Sequence, residues 1–495
     1  MHSVEMKKII LSLLFLPAIA FAINFWLGLI TSGVMLVSIA IILQIHKLDR
    51  IFLGFLSLIL IGYAFGGKGF AYLGIYPVFV GEVALSLGVI SIIAYFLVGK
   101  TRFAPPPLGM PLSFLIGLGI LRLIYDLPHY GIFALRDGVI WGYSLFAIVS
   151  FWALNNRMSI IEVPVWFAKW IPYFLLLTPI VFLVFRLKYQ ILPRWPWGPE
   201  GGVPILNPKG GDIAVHLSGI MAFLIVGLYQ EKRQTLSIRN WIMWTLWLIC
   251  FVMIGTTGRA AFLTVSFSLL MIGLFRSFRQ WLKVIFVMGI VLIGMEAFDI
   301  SFDVGIPRKI STEQIIDNIR SVFGETQSSN LEGSKRWRLR WWKTIISYTF
   351  YGNYFWTGKG FGINLADDDG FQVAADHSLR SPHNSHLTFL ARMGVPGFFL
   401  WVILQLGFAG KLFYFYKKAK QKRMDVLANL NLWILIYWAA FMINGAFDVF
   451  LEGPQGGIWF WSVFGYGLAL INYQNRLYRS NRVIKSNLAL QNQIA

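Results

Sequence analysis

Charge is scarce in this chain. Asp, Glu, Lys and Arg make up 13% of its 495 residues, against roughly a quarter in soluble proteins. A shortfall of that size, beside 57% hydrophobic and 17% aromatic residues, excludes an ordinary globular domain with a well-filled core. The apolar residues gather in runs of membrane-spanning length that recur from one end of the chain to the other. Cysteine is nearly missing, with Cys250 alone. An intrachain disulfide is therefore excluded, and a thiol inside an apolar run says nothing about redox compartment. Neither an internal repeat nor a low-complexity tract is found, whereas an inverted-repeat transporter usually shows symmetry between its halves. Acid is the scarcer sign, 23 residues against 43 basic ones, for a net charge of +20. That excess does not mark a nucleic-acid binder. The basic residues form short clusters between apolar runs, as the positive-inside rule expects of a protein in a lipid bilayer.

What is there reads as an all-α polytopic membrane protein with about 14 transmembrane helices (about 12–14). The spans are expected over 9–24, 26–44, 51–66, 79–98, 108–125, 134–154, 166–185, 211–229, 240–257, 260–276, 283–298, 387–416, 429–448 and 456–473. Met6-Lys7-Lys8 and the apolar run after it resemble a signal peptide, but a second span follows at once, so the segment is read as an uncleaved first helix. Basic clusters follow every second span, from His46–Arg50 through Lys100–Arg102, Asn155–Arg157, Glu231–Arg233, Arg276 with Lys283 and Lys417–Arg423 to the C-terminal tail. They share one side if both termini are cytoplasmic. The expected organisation is therefore helices one to eleven within 1–298, a large, partly helical extracytoplasmic loop over 299–386, three further helices within 387–475, and a cytoplasmic tail over 476–495. A loop that long between helices is usually functional.

Several polar residues need a reason to lie where they do. Arg259, in Gly255-Thr256-Thr257-Gly258-Arg259-Ala260-Ala261, falls between two spans at the outer face. It is either a snorkelling arginine at a helix end or, with glycines allowing close backbone approach, part of a cationic pocket for phosphate. In the loop, Arg336, Arg338, Arg340 and Lys343 interleave with Trp337, Trp341 and Trp342. On a helix Arg336, Arg340 and Lys343 share a face and Arg338 projects elsewhere. Arginine suits phosphate oxygens, while the tryptophans suit a membrane interface or a stacked sugar ring; an amphipathic helix gripping lipid headgroups is the plain alternative. His377, His383 and His386 crowd the segment before the span at Leu387, and histidine is the usual general base near neutral pH. His383-x-x-His386 could also offer two zinc ligands, but the spacing lacks the glutamate of helix-borne zinc proteases. Asp367-Asp368-Asp369 could hold a divalent cation, or be a solvated loop. Glu82, Arg122, Asp137 and His216 lie within spans and each requires a polar partner.

Three stretches together resemble the O-antigen ligase superfamily, which includes Wzy-type polysaccharide polymerases. The first is His383-Asn384, nine residues, then Gly394-Val395-Pro396-Gly397. The second is Thr257-Gly258-Arg259-Ala260-Ala261, where alanine replaces the family's glycine after the arginine. The third is Arg338-Leu339-Arg340-Trp341-Trp342 followed by Gly358-Lys359-Gly360-Phe361-Gly362. The resemblance implies a GT-C-like inverting glycosyltransferase of the bacterial cytoplasmic membrane, acting in cell-surface polysaccharide biosynthesis with its site outside and without metal or other cofactor. Its donor would be an undecaprenyl diphosphate-linked glycan, its acceptor a hydroxyl of lipid A-core, a growing polysaccharide or another glycan. By the same resemblance His383 would be the base, with Arg259 and Arg338 on the diphosphate. Arg336, Arg340, Arg380, Asn384 and His386 would contact diphosphate or glycan. The competing readings are a flippase for lipid-linked saccharide, which wants charges at mid-membrane depth, and a non-catalytic partner in a polysaccharide assembly, which would tolerate loss of His383.

Overall fold

The computed structural model describes residues 47–97, 105–157, 160–197, 202–229, 238–276 and 329–479, with short pieces between 286 and 316. The expected spans 9–24 and 26–44, most of 283–298, and the end of the tail lie outside the described residues. The chain divides into two compact units, Met1–Ser57 with Val83–Ala104, and Leu58–Glu82 with Pro105–Ala495. In the smaller unit Asp49 accepts from the Tyr95 hydroxyl (3.4 Å).

Apolar runs become helices throughout, as they must where a lipid bilayer leaves no other way to satisfy backbone groups. In chain order these are α1 (Leu48–Gly66), α2 (Val80–Leu97), α3 (Gly109–Tyr130), α4 (Ile132–Gly142), α5 (Leu145–Arg157), α6 (Glu162–Lys188), α7 (Gly210–Ile225), α8 (Ile238–Thr257) and α9 (Arg259–Phe275). The loop helices α10 (Ser329–Phe350) and α11 (Leu365–Asp368) follow, then α12 (Ser385–Gln421), α13 (Asp425–Gly445) and α14 (Pro454–Arg479). Six of the described helices are long and apolar enough to cross a membrane, and up to seven with the bent pair α4–α5 taken as one span. Over the span expected at 134–154 the chain forms this pair, whose axes diverge by 45°. Helical order around Lys335–Thr349 matches α10.

In the larger unit α14 packs on α5, α12 on α13, and α7 against α8, α9 and α13. Several polar groups inside this bundle pair with one another. Asn431 and Gln474 exchange side-chain amide hydrogen bonds (3.1 and 3.2 Å). His216 meets the Tyr437 hydroxyl at 2.7 Å, Arg122 pairs with Asp126 at 2.8 Å, and Glu82 accepts from the Phe79 amide at 3.1 Å. Each buried group left unpaired would cost about 1–3 kcal/mol.

Helix direction places the site. At one end of the bundle Arg276, just beyond α9, donates to the Asn429 side chain near the start of α13. Asn429 in turn donates to the carbonyl of Val226, at the end of α7 (2.7 Å). At the other end the start of α7 lies against the end of α13, where a Cβ on Gly211 would stand 2.6 Å from Asn444 Oδ1. Thus α7 and α9 run in the same direction and α13 opposes them. Arg259 therefore opens α9 at the end of the bundle that carries Lys209 and Asp448.

The loop after α9 folds back on that end. Along α10, Trp337, Trp341, Ile345 and Thr349 recur at helical spacing and form the inner stripe, with Trp341, Ile345 and Thr349 fully buried. They pack with Leu365, Ala366, Phe371, Leu390 and Ala391 into a small core of their own. Trp341 stacks on Phe371 (5.4 Å, 4°).

Candidate active site

Two local devices fix the position of His383. Asn384 caps α12, its side-chain oxygen accepting from the amides of His386 (3.0 Å) and Leu387 (3.1 Å). Upstream, Trp342 Nε1 donates to the Pro382 carbonyl (2.8 Å). Between these anchors His383 takes the left-handed conformation, φ 52°, which costs a residue with a Cβ about 1 kcal/mol or more. Strain of this kind persists where its surroundings determine it and is typical of functional positions.

The imidazole faces Asp448, which follows the end of α13, with Nδ1 3.6 Å from Oδ1. That is a charge contact slightly longer than a hydrogen bond, and Nδ1 has no hydrogen-bond partner among the described residues. Lys209 approaches the other Asp448 oxygen at 3.5 Å. Burial alone would raise the Asp448 carboxyl, but Lys209 and His383 hold it well below the usual carboxylate range. For Lys209 burial works the opposite way, and Asp448 with Asp212 more than offsets it, so the ammonium is held above its usual range. Arg338 reaches the same place from α10, donating to the Phe447 carbonyl at 2.9 Å. Burial, opposed by Asp448, lowers its guanidinium, and its Nε finds no partner among the described residues. A half-buried arginine with a free N–H beside an imidazole–carboxylate pair can bind an oxyanion next to a base.

The glycine motifs have a structural reason. In α12, Gly394 is left-handed, φ 66°, which turns the Val395 amide away from its own helix to the Phe355 carbonyl (2.8 Å). Pro396 has no N–H to give. The carbonyls of Ala391 and Arg392, thus released, accept from Lys359 (2.7 Å) and Gly360 (3.1 Å). Gly358, Gly360 and Gly362 all have positive φ, a conformation glycine adopts without steric cost. Two carboxylates hold this segment from α3 and α4: Asp126 accepts from the Phe361 amide (2.7 Å) and Asp137 from that of Gly362 (2.9 Å).

Residues 244–402 match the O-antigen ligase family. The comparison with curated proteins gives no match. The resemblance drawn from the three motifs holds over this segment. It supports an O-antigen ligase- or polymerase-type function in polysaccharide biosynthesis and, with the apolar helices, a multi-pass protein of the inner membrane. The matched segment contains Arg259, Arg338 and His383, whereas Lys209 and Asp448 lie outside it.

Of the residues singled out by sequence, the structure brings His383 and Arg338 together and puts Arg259 at the same end. Others have structural partners. The Asn384 oxygen is used in the cap. His386 is held through both ring nitrogens, by the Met442 carbonyl (2.9 Å) and by Trp401 Nε1 (3.1 Å), so it does not pair with His383 around a metal. Arg380 is bound to Asp137 (2.9 Å) and the Gly362 carbonyl (2.8 Å), and Arg392 shares the same aspartate at 3.0 Å. Arg336 and Arg340 are exposed on α10, away from its buried stripe. The loop tryptophans are not a free surface: Trp341 is buried and donates to Asp369 (2.6 Å). Nor is the acidic run merely solvated, since Lys359 grips both Asp368 and Asp369 and lies over the Tyr348 ring at 4.4 Å.

Asp448 and Lys209 are the site residues that sequence reasoning missed. A carboxylate closing the apolar run of α13 was the available signal, because charge at a span end usually has an assigned partner. Nothing local points from it to His383.

Proposed function

We propose that the protein is a glycosyltransferase that moves a glycan from an undecaprenyl diphosphate-linked donor to an acceptor hydroxyl on the outer side of the cytoplasmic membrane. The observation that carries this reading is the His383–Asp448 contact beside the desolvated Arg338. With Nδ1 turned to Asp448, Nε2 is left to meet the acceptor hydroxyl. As the acceptor oxygen attacks the anomeric carbon, its proton passes to Nε2 and the bond from that carbon to the diphosphate oxygen breaks, its electron pair leaving with the diphosphate. Attack opposite the leaving group inverts the anomeric centre. The charge developing on the imidazole is met by Asp448, which acts as a positioning residue. The charge on the departing diphosphate is met by Arg338 and by Arg259. None of these steps calls on a cofactor.

Proteoliposomes holding the full chain and a purified undecaprenyl diphosphate-linked oligosaccharide provide the test. His383→Ala, Arg338→Ala and Arg259→Ala should each insert and unfold like wild type yet leave the donor unconsumed. Transfer by His383→Ala at the wild-type rate would remove the base and with it the mechanism.

A further inference from the structure

Around the candidate site lie chain segments that the transfer chemistry does not use, and they bring cations and aromatic rings to one place. The turn after α1 carries Lys68, whose amide donates to the Asn207 carbonyl (3.1 Å), two residues before Lys209. The next residue, Gly69, accepts from Trp195 Nε1 at 2.8 Å, and Tyr72 accepts from Trp197 Nε1 at 2.9 Å. Both indoles are thus anchored by their N–H to one short turn, and their rings lie parallel, 6.1 Å apart at 13°. Neither ring is fully buried. Indoles held in this way lose little entropy when a flat apolar face packs on them.

The charge beside them is one-sided. Lys209 is committed to Asp448, but Lys68 and Arg136 have no ion-pair partner among the described residues. The Lys68 ammonium is held below its usual range by burial first, then by Lys209 and Arg136, and Asp448 only partly restores it. Arg136 also acts on the Tyr72 phenol against the effect of burial, so it stands near the same turn. Cations gathered against their mutual repulsion next to partly exposed aromatic rings suit a ligand with both a sugar face and an acidic group.

We propose that Trp195, Trp197, Lys68 and Arg136 form a saccharide subsite beside His383 that selects an acidic sugar, its ring on the indoles and its carboxylate on the two cations. The inference rests on the glycan-transfer reading and adds the substrate class: a lipid-linked glycan containing a uronic acid.

Binding by the full chain in nanodiscs, followed by calorimetry, tests it without requiring turnover. The probes are a tetrasaccharide alternating glucuronate with N-acetylglucosamine and the neutral tetramer of N-acetylglucosamine. The acidic probe should bind at least about tenfold more tightly, as expected for about 1.4 kcal/mol of charge-assisted contact. Lys68→Gln with Arg136→Gln should bring the two probes within about twofold of each other. Trp197→Ala should weaken both by about three- to tenfold, and Trp197→Phe, which keeps a ring, by less. Equal affinity for the two probes, binding of neither, or an acidic preference that survives the double variant would overturn the proposal. So would displacement of the acidic probe by inorganic diphosphate combined with loss of diphosphate affinity in the double variant, which would reassign the cations to the donor's leaving group. Acidic binding as expected, with no transfer by any form of the protein, would overturn the transferase reading and leave the subsite standing.

Discussion

Replacing Asp448 by Asn isolates one charge while keeping shape. At 3.6 Å, a full charge on the imidazole interacts with the carboxylate by about 1 kcal/mol in a water-like medium and about 4–5 kcal/mol at an effective dielectric near 20. The side chains of His383 and Asp448 are 29% and 21% exposed, so a value between these limits applies, about 2–3 kcal/mol. Because that charge forms only as the acceptor proton is transferred, the loss falls on the transition state. It corresponds to a drop in transfer rate of roughly 30- to 150-fold. Asp448→Asn also leaves Lys209 facing the imidazole without its counter-ion. Asp448→Asn with Lys209→Met removes that repulsion and should recover part of the rate, about threefold to tenfold. The assay is single-turnover transfer from purified donor in proteoliposomes, with thermal unfolding run on the same preparations. Donor affinity should not fall, since the carboxylate repels the diphosphate rather than binding it. If Asp448→Asn keeps its rate within about twofold, or if the loss follows unfolding, the carboxylate does not act through His383 and the argument fails.

Three further outcomes follow from the same geometry. Gly394→Ala adds a Cβ 2.5 Å from the Phe355 carbonyl oxygen at a φ of 66°, and should lower stability by about 2–5 kcal/mol in detergent unfolding, from backbone strain and overpacking together. Lys359→Met strips the cation from Asp369, whose side chain is 1% exposed, and should cost about 3–5 kcal/mol in the same measurement. Glu452 has its carboxyl raised to about 7, by burial first, against hydrogen bonds from Thr388 and Ser381 and the charge of Arg392. The native state therefore keeps a proton that the unfolded chain gives up, so wild-type stability falls as pH rises from about 4.5 to about 7 and is level above. Glu452→Gln should flatten that slope and be the more stable protein at pH 8 by about 1–3 kcal/mol. An unchanged slope would place the titration elsewhere.

The helices were legible because an apolar run in a membrane has few alternatives, and the described ones begin and end close to where the runs do. The break between α4 and α5 was not, since no charge or proline marks it. Among polar residues, what was legible depended on sequence distance. Arg122 and Asp126 sit one helical turn apart, a pairing readable by spacing alone. Asp137 finds Arg380 from the far side of α5 to α11, and Asp448 finds His383 across all of α12 and α13. Arg338 was separable from Arg336 and Arg340 by helical phase, and it is the one that turns inward. For Asn384 and His386 the motif gave position and not role: both are spent on holding their neighbour in place.

The break at Gly394 has a consequence for how the protein meets bilayers of different thickness. A continuous rod of 37 residues would swing at its tip whenever the membrane part tilted to match the hydrocarbon depth. In α12 the first turns are tied instead to the glycine-rich segment and, through it, to α3 and α4. The length that tilts begins below the kink. The imidazole's position is thereby set by the loop assembly, and lipid tails of different length should change the slant of α12 without moving the base.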